Sequence, residues 1–193
     1  MTNKLPRVHT LTVNAQTRAL AIMTPLDISE AYDPSSGDPQ PPWHSYRGIW
    51  DTGATNTVIC ERIVKEVGIS RTGMGIANTA GVKFSVDRFL VNVRLPSGIA
   101  FSGIQVTKGN LGDDIDVLIG MDIITAGDFS ITNADGKTCM SFRIPSLKKI
   151  DYSEEQRQLQ AREAEKHLSG YDKKIADRQR LLEKMQKRNN PQS

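Results

Sequence analysis

The chain has 193 residues, 25 Lys/Arg against 22 Asp/Glu, and a net charge of +3, enough length for one ordinary domain with a sizeable core plus an appendage. Residues 1–152 balance at 15 basic and 15 acidic, whereas residues 153–193 carry 10 against 7, so the whole excess lies in the tail. The signs alternate there, which argues against nucleic-acid binding, since phosphate affinity needs clustered cations.

In chain order, Leu11-Thr12-Val13 and Ala19-Leu20-Ala21-Ile22 read as two short strands around a polar turn. Residues 33–42 are a Pro-rich loop with fixed dihedrals and few ladder donors. Gly48-Ile49-Trp50 is a short strand that leads into Asp51-Thr52-Gly53-Ala54. Next, Ile59, Ile63, Val64 and Val67 share one face at helical spacing, with Thr57 as the expected N-cap and Gly68 as the stop.

The period then changes. Ile76 to Val82 contains the small residues Asn78-Thr79-Ala80-Gly81, suited to a hairpin tip. Phe89, Val91, Val93 and Leu95 alternate with more polar neighbours, and Pro96-Ser97-Gly98 turns that strand into a partner from Ile99 to Val106. Val117-Leu118-Ile119-Gly120 is an apolar run of the kind found in buried strands, and Met121 to Ala126 is about one helical turn. Phe129–Thr132 and Thr138–Ile144 flank Asn133-Ala134-Asp135-Gly136-Lys137 as a last hairpin.

Beyond Ser153 the pattern is helical. Ala161, Ala164, Leu168, Tyr171, Ile175, Arg178, Leu182 and Met185 repeat at 3-4 spacing, a weak heptad seam that Ser169-Gly170 is expected to interrupt. An amphipathic helix or a helical hairpin fits. The fold expected is mainly β over residues 1–146, followed by a charged helical tail over 147–193.

Cys60 and Cys139 stand far apart in apolar settings, as small buried hydrophobes in a reducing compartment. His9, His44 and His167 are too scattered for a metal site, and no cofactor is expected. No stretch has signal-peptide or bilayer-spanning length, so a cytoplasmic protein without a membrane partner is expected. Asp113, Asp114 and Asp116 read as a solvated acidic loop rather than a cation site, and Asp122 as a residue that caps or pairs.

The triplet Asp51-Thr52-Gly53, with its apolar strand before it, Ala54 and Thr57 after it, and Leu118-Ile119-Gly120-Met121-Asp122 about seventy residues on, resembles the retropepsin-like aspartic proteases. The resemblance covers roughly residues 10–146. It implies a closed, half-pepsin type acid-protease β-barrel and an aspartic endopeptidase acting on polypeptide. The chain has one such triplet, so the second carboxylate would come from a second copy in a homodimer. In the family two close carboxylates share a proton, one activating water and the other polarising the scissile carbonyl.

By the same resemblance Asp51 is the catalytic residue. Thr52 would reach across the two-fold axis, Gly53 would donate to the carboxylate, and Ala54 and Thr55 would begin the cleft. Ile119 and Gly120 would pack beneath the loop, with Thr57 also in support. Ala77, Asn78, Thr79, Ala80 and Gly81 would be the flap that closes over an extended peptide. The glycine-poor flap region and the extra helix motivate a second reading, an inactive dimeric scaffold or peptide-binding module. A third is a tail that tethers the protein to an anionic assembly.

Overall fold

The computed structural model describes residues 7–33, 35–37, 39–79 and 81–189. The chain divides into two compact units between Lys148 and Lys149. Among the described residues, ten strands, two short helices and a 3-10 turn (Ala134–Gly136) make the first unit and one long helix makes the second, so the protein is mainly β with a helical C-terminal part.

In the first unit β1 (His9–Asn14) pairs antiparallel with β10 (Cys139–Ile144), which pairs with β9 (Asp128–Thr132). The larger sheet runs β2 (Met23–Glu30), β3 (His44–Trp50), β8 (Val117–Ile119), β4 (Val58–Ile59), β7 (Ala100–Lys108), β6 (Val82–Arg94), β5 (Gly73–Thr79). Strand β2 also pairs with β6 over Asp27–Glu30, so the ladder returns on itself. Helix α1 (Glu61–Val67) and the single turn α2 (Met121–Ile124) follow β4 and β8.

Three expectations need correction. The second strand is Met23–Glu30, not Ala19–Ile22. Pro25 sits inside it because its partner Arg47 directs both its backbone N–H and its C=O at Asp116, so no ladder bond is lost. Thr57 does not cap α1; Cys60 is the N-cap, without a side-chain bond, because Val58-Ile59 is drawn into the sheet. Gly68 does end that helix, in the left-handed region at φ +74°. Finally, Ser169-Gly170 does not interrupt the tail. The Ser169 hydroxyl donates to the Lys166 carbonyl at 3.0 Å, and the helix runs on through the glycine.

The core is where the two sheets meet β3. Trp50 is buried, stacked on Phe129 with ring centroids 5.4 Å apart and tilted against Phe142 at 5.2 Å. Its indole N–H donates to the Thr24 hydroxyl at 3.0 Å, so the buried ring has no orphan donor. Gly48, two residues earlier, is closely packed: a Cβ there would lie 2.2 Å from Leu26 Cδ2 and 3.1 Å from Ile119 Cδ1, so those side chains would have to shift. These contacts fix the strand that delivers Asp51.

The second unit is α3 (Tyr152–Asn189). Asp151 caps it, accepting the Glu154 N–H at 3.2 Å on its side chain and the Glu155 N–H at 3.0 Å on its carbonyl. Among the described residues no helix is long and apolar enough to cross a membrane.

Candidate active site

Strand β8 lies between β3 and β4, which are neighbours in sequence: it is parallel to β3 (Trp50 opposite Ile119) and antiparallel to β4 (Val58 opposite Leu118). Residues 51–57 must therefore pass over the end of β8. A loop crossing a strand end leaves backbone groups unpaired unless side chains and neighbouring chain take them up. Here they do. The Asp51 N–H donates to the Ile119 carbonyl at 3.0 Å, extending the parallel ladder by one bond and aiming the residue off the sheet. The Met121 and Asp122 N–H groups, at the start of α2, donate to the carbonyls of Ala54 (2.8 Å) and Thr55 (3.2 Å).

The Asp51 carboxylate is partly exposed and accepts the Gly53 N–H at 2.8 Å on Oδ1. A Cβ on residue 53 would stand 3.1 Å from that oxygen, so glycine suits the close approach. Thr52 is exposed beside it and has no hydrogen-bond partner among the described residues. The Ala54 N–H closes the turn onto the Asp51 carbonyl at 3.3 Å.

Thr57 and Asp122 form the base of the loop. Thr57 is fully buried; its N–H donates to Asp122 Oδ2 at 2.9 Å and its hydroxyl donates to Oδ1 at 2.8 Å. The same hydroxyl oxygen accepts the Gly120 N–H at 3.2 Å. Gly120 is essential for this closeness, since a Cβ there would come within 2.5 Å of the Asn56 carbonyl carbon. Asp122 is thus a pairing residue, 65 positions from its partner. Sequence spacing could suggest that it pairs but not with what.

Asp51, Gly53, Ala54, Thr57, Ile119 and Gly120 are joined by these bonds into one arrangement. The expected flap residues are elsewhere, on the β5–β6 hairpin, where Ala77 pairs with Phe84, Asn78 with Lys83 and Thr79 with Val82. Ala80 lies outside the described residues, and Gly81 turns the tip at φ +83°. The hairpin carries Ile76 at 76% exposure, with Met74, Val82 and Phe84 also exposed.

A groove of about 680 Å³ runs between the base of this hairpin, the start of α1 and residues 108–116. Met74, Phe84 and Leu111 line it, with Glu61, Asp87 and Lys108 among its charged groups; Asp51 does not. Lys108 bridges Glu61 at 2.8 Å and Asp87 at 3.6 Å. Its ammonium is held charged above the usual lysine range, first by its bond to Glu61, while Arg71 holds the Asp87 carboxyl below the usual carboxylate range. Of the acidic loop, Asp116 pairs with Arg62 and accepts the Arg47 N–H at 2.9 Å. Among the described residues no three His, Cys, Asp or Glu side chains group as metal ligands.

Residues 44–123, from the start of β3 into the α2 turn, match the aspartyl protease family. Over this stretch, 80 of the 193 residues, the chain is similar to that family. The match agrees with the retropepsin-like resemblance carried by the Asp51 triplet, and the matched segment contains the loop and strands described above for Asp51. Among solved structures, the chain is similar to a retropepsin-like aspartic protease from Rickettsia conorii, at 13% identity and a TM-score of 0.43, over 71% of this chain and 95% of that one. It is also similar to the retroviral protease-like domain of Ddi1 from Leishmania major, at 15% identity and a TM-score of 0.37, over 58% of this chain and 82% of that one. No curated protein matches the chain.

Proposed function

We propose that this protein is an aspartic endopeptidase whose active centre forms in a homodimer, with one Asp51 from each chain holding the water that attacks the peptide bond. The observation that carries this reading is a partly exposed Asp51 carboxylate on a loop anchored at both ends, in a chain with a single Asp-Thr-Gly triplet. One carboxylate cannot serve as base and acid together; two sharing a proton can. Residues 1–146 are then the catalytic domain, with the returning ladder of β2, β3, β8, β4, β7 and β6 as a closed half-pepsin barrel. The exposed Thr52 hydroxyl is free to bond across the axis, Gly53 supports the carboxylate, and the β5–β6 hairpin with Ala77 to Gly81 closes over an extended polypeptide.

Hydrolysis of an unstructured protein substrate by the purified chain, with Asp51→Asn as the comparison, tests the reading. Turnover should be best at mildly acidic pH, be blocked by statine-type inhibitors, and fall by at least about 10²–10⁴-fold in the variant. Full activity in Asp51→Asn overturns it. The exposed apolar residues of the hairpin also suit a second reading, a catalytically inactive scaffold that holds a peptide without cutting it. Peptide binding that is unchanged by Asp51→Asn, with no cleavage by the wild type, would establish that alternative.

A further inference from the structure

The 38-residue helix α3 presents Tyr171, Ile175, Leu182 and Met185 to solvent at 41–65% exposure, all on the 3-4 seam. An apolar stripe of this length on a solvated helix is stable in water only at a cost that pairing removes. Because the helix runs unbroken through Ser169-Gly170, the seam keeps its phase over its whole length, and those two residues fall on the outer side of the repeat. We propose that α3 pairs with α3 of a second copy as a parallel, in-register coiled coil.

The flanking residues suit a second copy, and the proposed homodimer sets the parallel orientation. Reading Ile175 and Leu182 as a positions and Tyr171 and Arg178 as d positions places His167 and Lys174 at g, and Asp172 and Gln179 at e. In a parallel pair these meet as His167 with Asp172 of the partner subunit and Lys174 with Gln179 of the partner subunit, so no like charges face each other across the flanks. Geometry adds the second reason. At about 1.5 Å rise per residue the helix is about 57 Å long. A parallel pair starts both helices at one end and brings the two preceding units close together, whereas an antiparallel pair sends them to opposite ends.

Arg178 sets the strength. It puts a cation at a seam position on both chains, so the pairing is weak and depends on concentration. Its consequence for activity rests on the homodimer reading above: tethering raises the effective concentration of the two Asp51 loops for each other. The pairing itself rests on the helix, and its parallel orientation rests also on that homodimer reading.

The test uses the full-length chain. Replacing the seam cation by Arg178→Leu should tighten self-association about tenfold or more by sedimentation, while Arg180→Leu on the outer face should leave it nearly unchanged. In a Cys60→Ser, Cys139→Ser background, Ile175→Cys and Leu182→Cys should each form a symmetric disulfide-linked dimer on mild oxidation, far faster than Arg180→Cys. Equal effects at positions 178 and 180, together with no preference for cross-linking at 175 and 182, overturn the proposal; cross-linking at only one of the two overturns the parallel register. The same measurements in Asp51→Asn should be unchanged. Pairing without hydrolysis in the wild type would therefore fault the peptidase reading alone, and hydrolysis without pairing would fault the helix inference alone.

Discussion

The Thr57 hydroxyl donates a hydrogen bond to Asp122 Oδ1 at 2.8 Å and accepts one from the Gly120 N–H at 3.2 Å, tying the end of the Asp51 loop to the strand it crosses. All three groups are buried or half-buried, so each bond counts for more than a surface one. Thr57→Val keeps the shape and removes the hydroxyl, leaving the Gly120 donor and one Asp122 oxygen without it. The expected loss is about 1–3 kcal/mol of stability by urea denaturation, with peptidase activity falling more than stability alone explains. Thr57→Ser should recover most of both.

Gly120→Ala examines the same junction sterically. The new methyl would stand 2.5 Å from the Asn56 carbonyl carbon and 2.7 Å from its oxygen, both backbone atoms that cannot rotate away. The expected cost is about 1–3 kcal/mol or more, read as a lower urea midpoint, and the Asp51 loop must shift with it. Gly53→Ala meets only the Asp51 oxygen, at 3.1 Å, and should cost less stability while impairing turnover.

Asp128 provides a pH-dependent test outside the Asp51 loop. The Leu147 N–H, then the Ser146 hydroxyl and the Arg143 guanidinium, hold its carboxyl well below the usual carboxylate range. A group whose folded pKa is depressed adds stability above its unfolded pKa of 3.8, and the contribution is lost as pH falls from there through the folded value. Wild type should thus be more stable than Asp128→Asn by a constant margin from pH 7 to about 5, and that margin should shrink below about pH 4. Denaturation midpoints across that range check the sign.

The β5–β6 hairpin gives a prediction that separates binding from folding. Ile76 is 76% exposed, so Ile76→Asp should leave the stability measured by urea denaturation within about 0.5 kcal/mol of wild type. If the hairpin closes over an extended peptide, the same change should raise KM for apolar peptides and leave kcat nearly alone. An unaltered KM would remove the hairpin from the binding surface.

Much of this arrangement was legible in the residues because local chemistry and tertiary context agreed. Trp50-Asp51-Thr52-Gly53 and Leu118-Ile119-Gly120 read as strand ends, and the structure places them side by side. The small residues before Val82 marked a hairpin tip, and the tip is there. What could not be read depended on distant partners. Thr57 has the chemistry of a helix cap, and only the Asp122 side chain, brought alongside it by the β4–β8 pairing, claims it for the loop instead. Pro25 lies within β2, and only the structure shows Asp116 taking up the backbone groups of the residue opposite. Asn92 likewise reads as an ordinary alternating polar position. In fact it is buried at a bulge in β6, where its amide donates to the Ser29 hydroxyl and the Glu30 carbonyl and accepts the Gly103 N–H.

The pairing of β1 with β10 has a temporal consequence. His9 finds its neighbour only at Ile144, so the small sheet over which Trp50 packs, through Phe129 and Phe142, is assembled from opposite ends of the first unit. Contacts so remote along the chain are slow to form. A ribosome that has already delivered Asp51 has not yet made the strand that completes the cover over its neighbour. Nascent chains stopped anywhere before β10 should hold the triplet on an unfinished support, vulnerable to proteases that spare the finished protein.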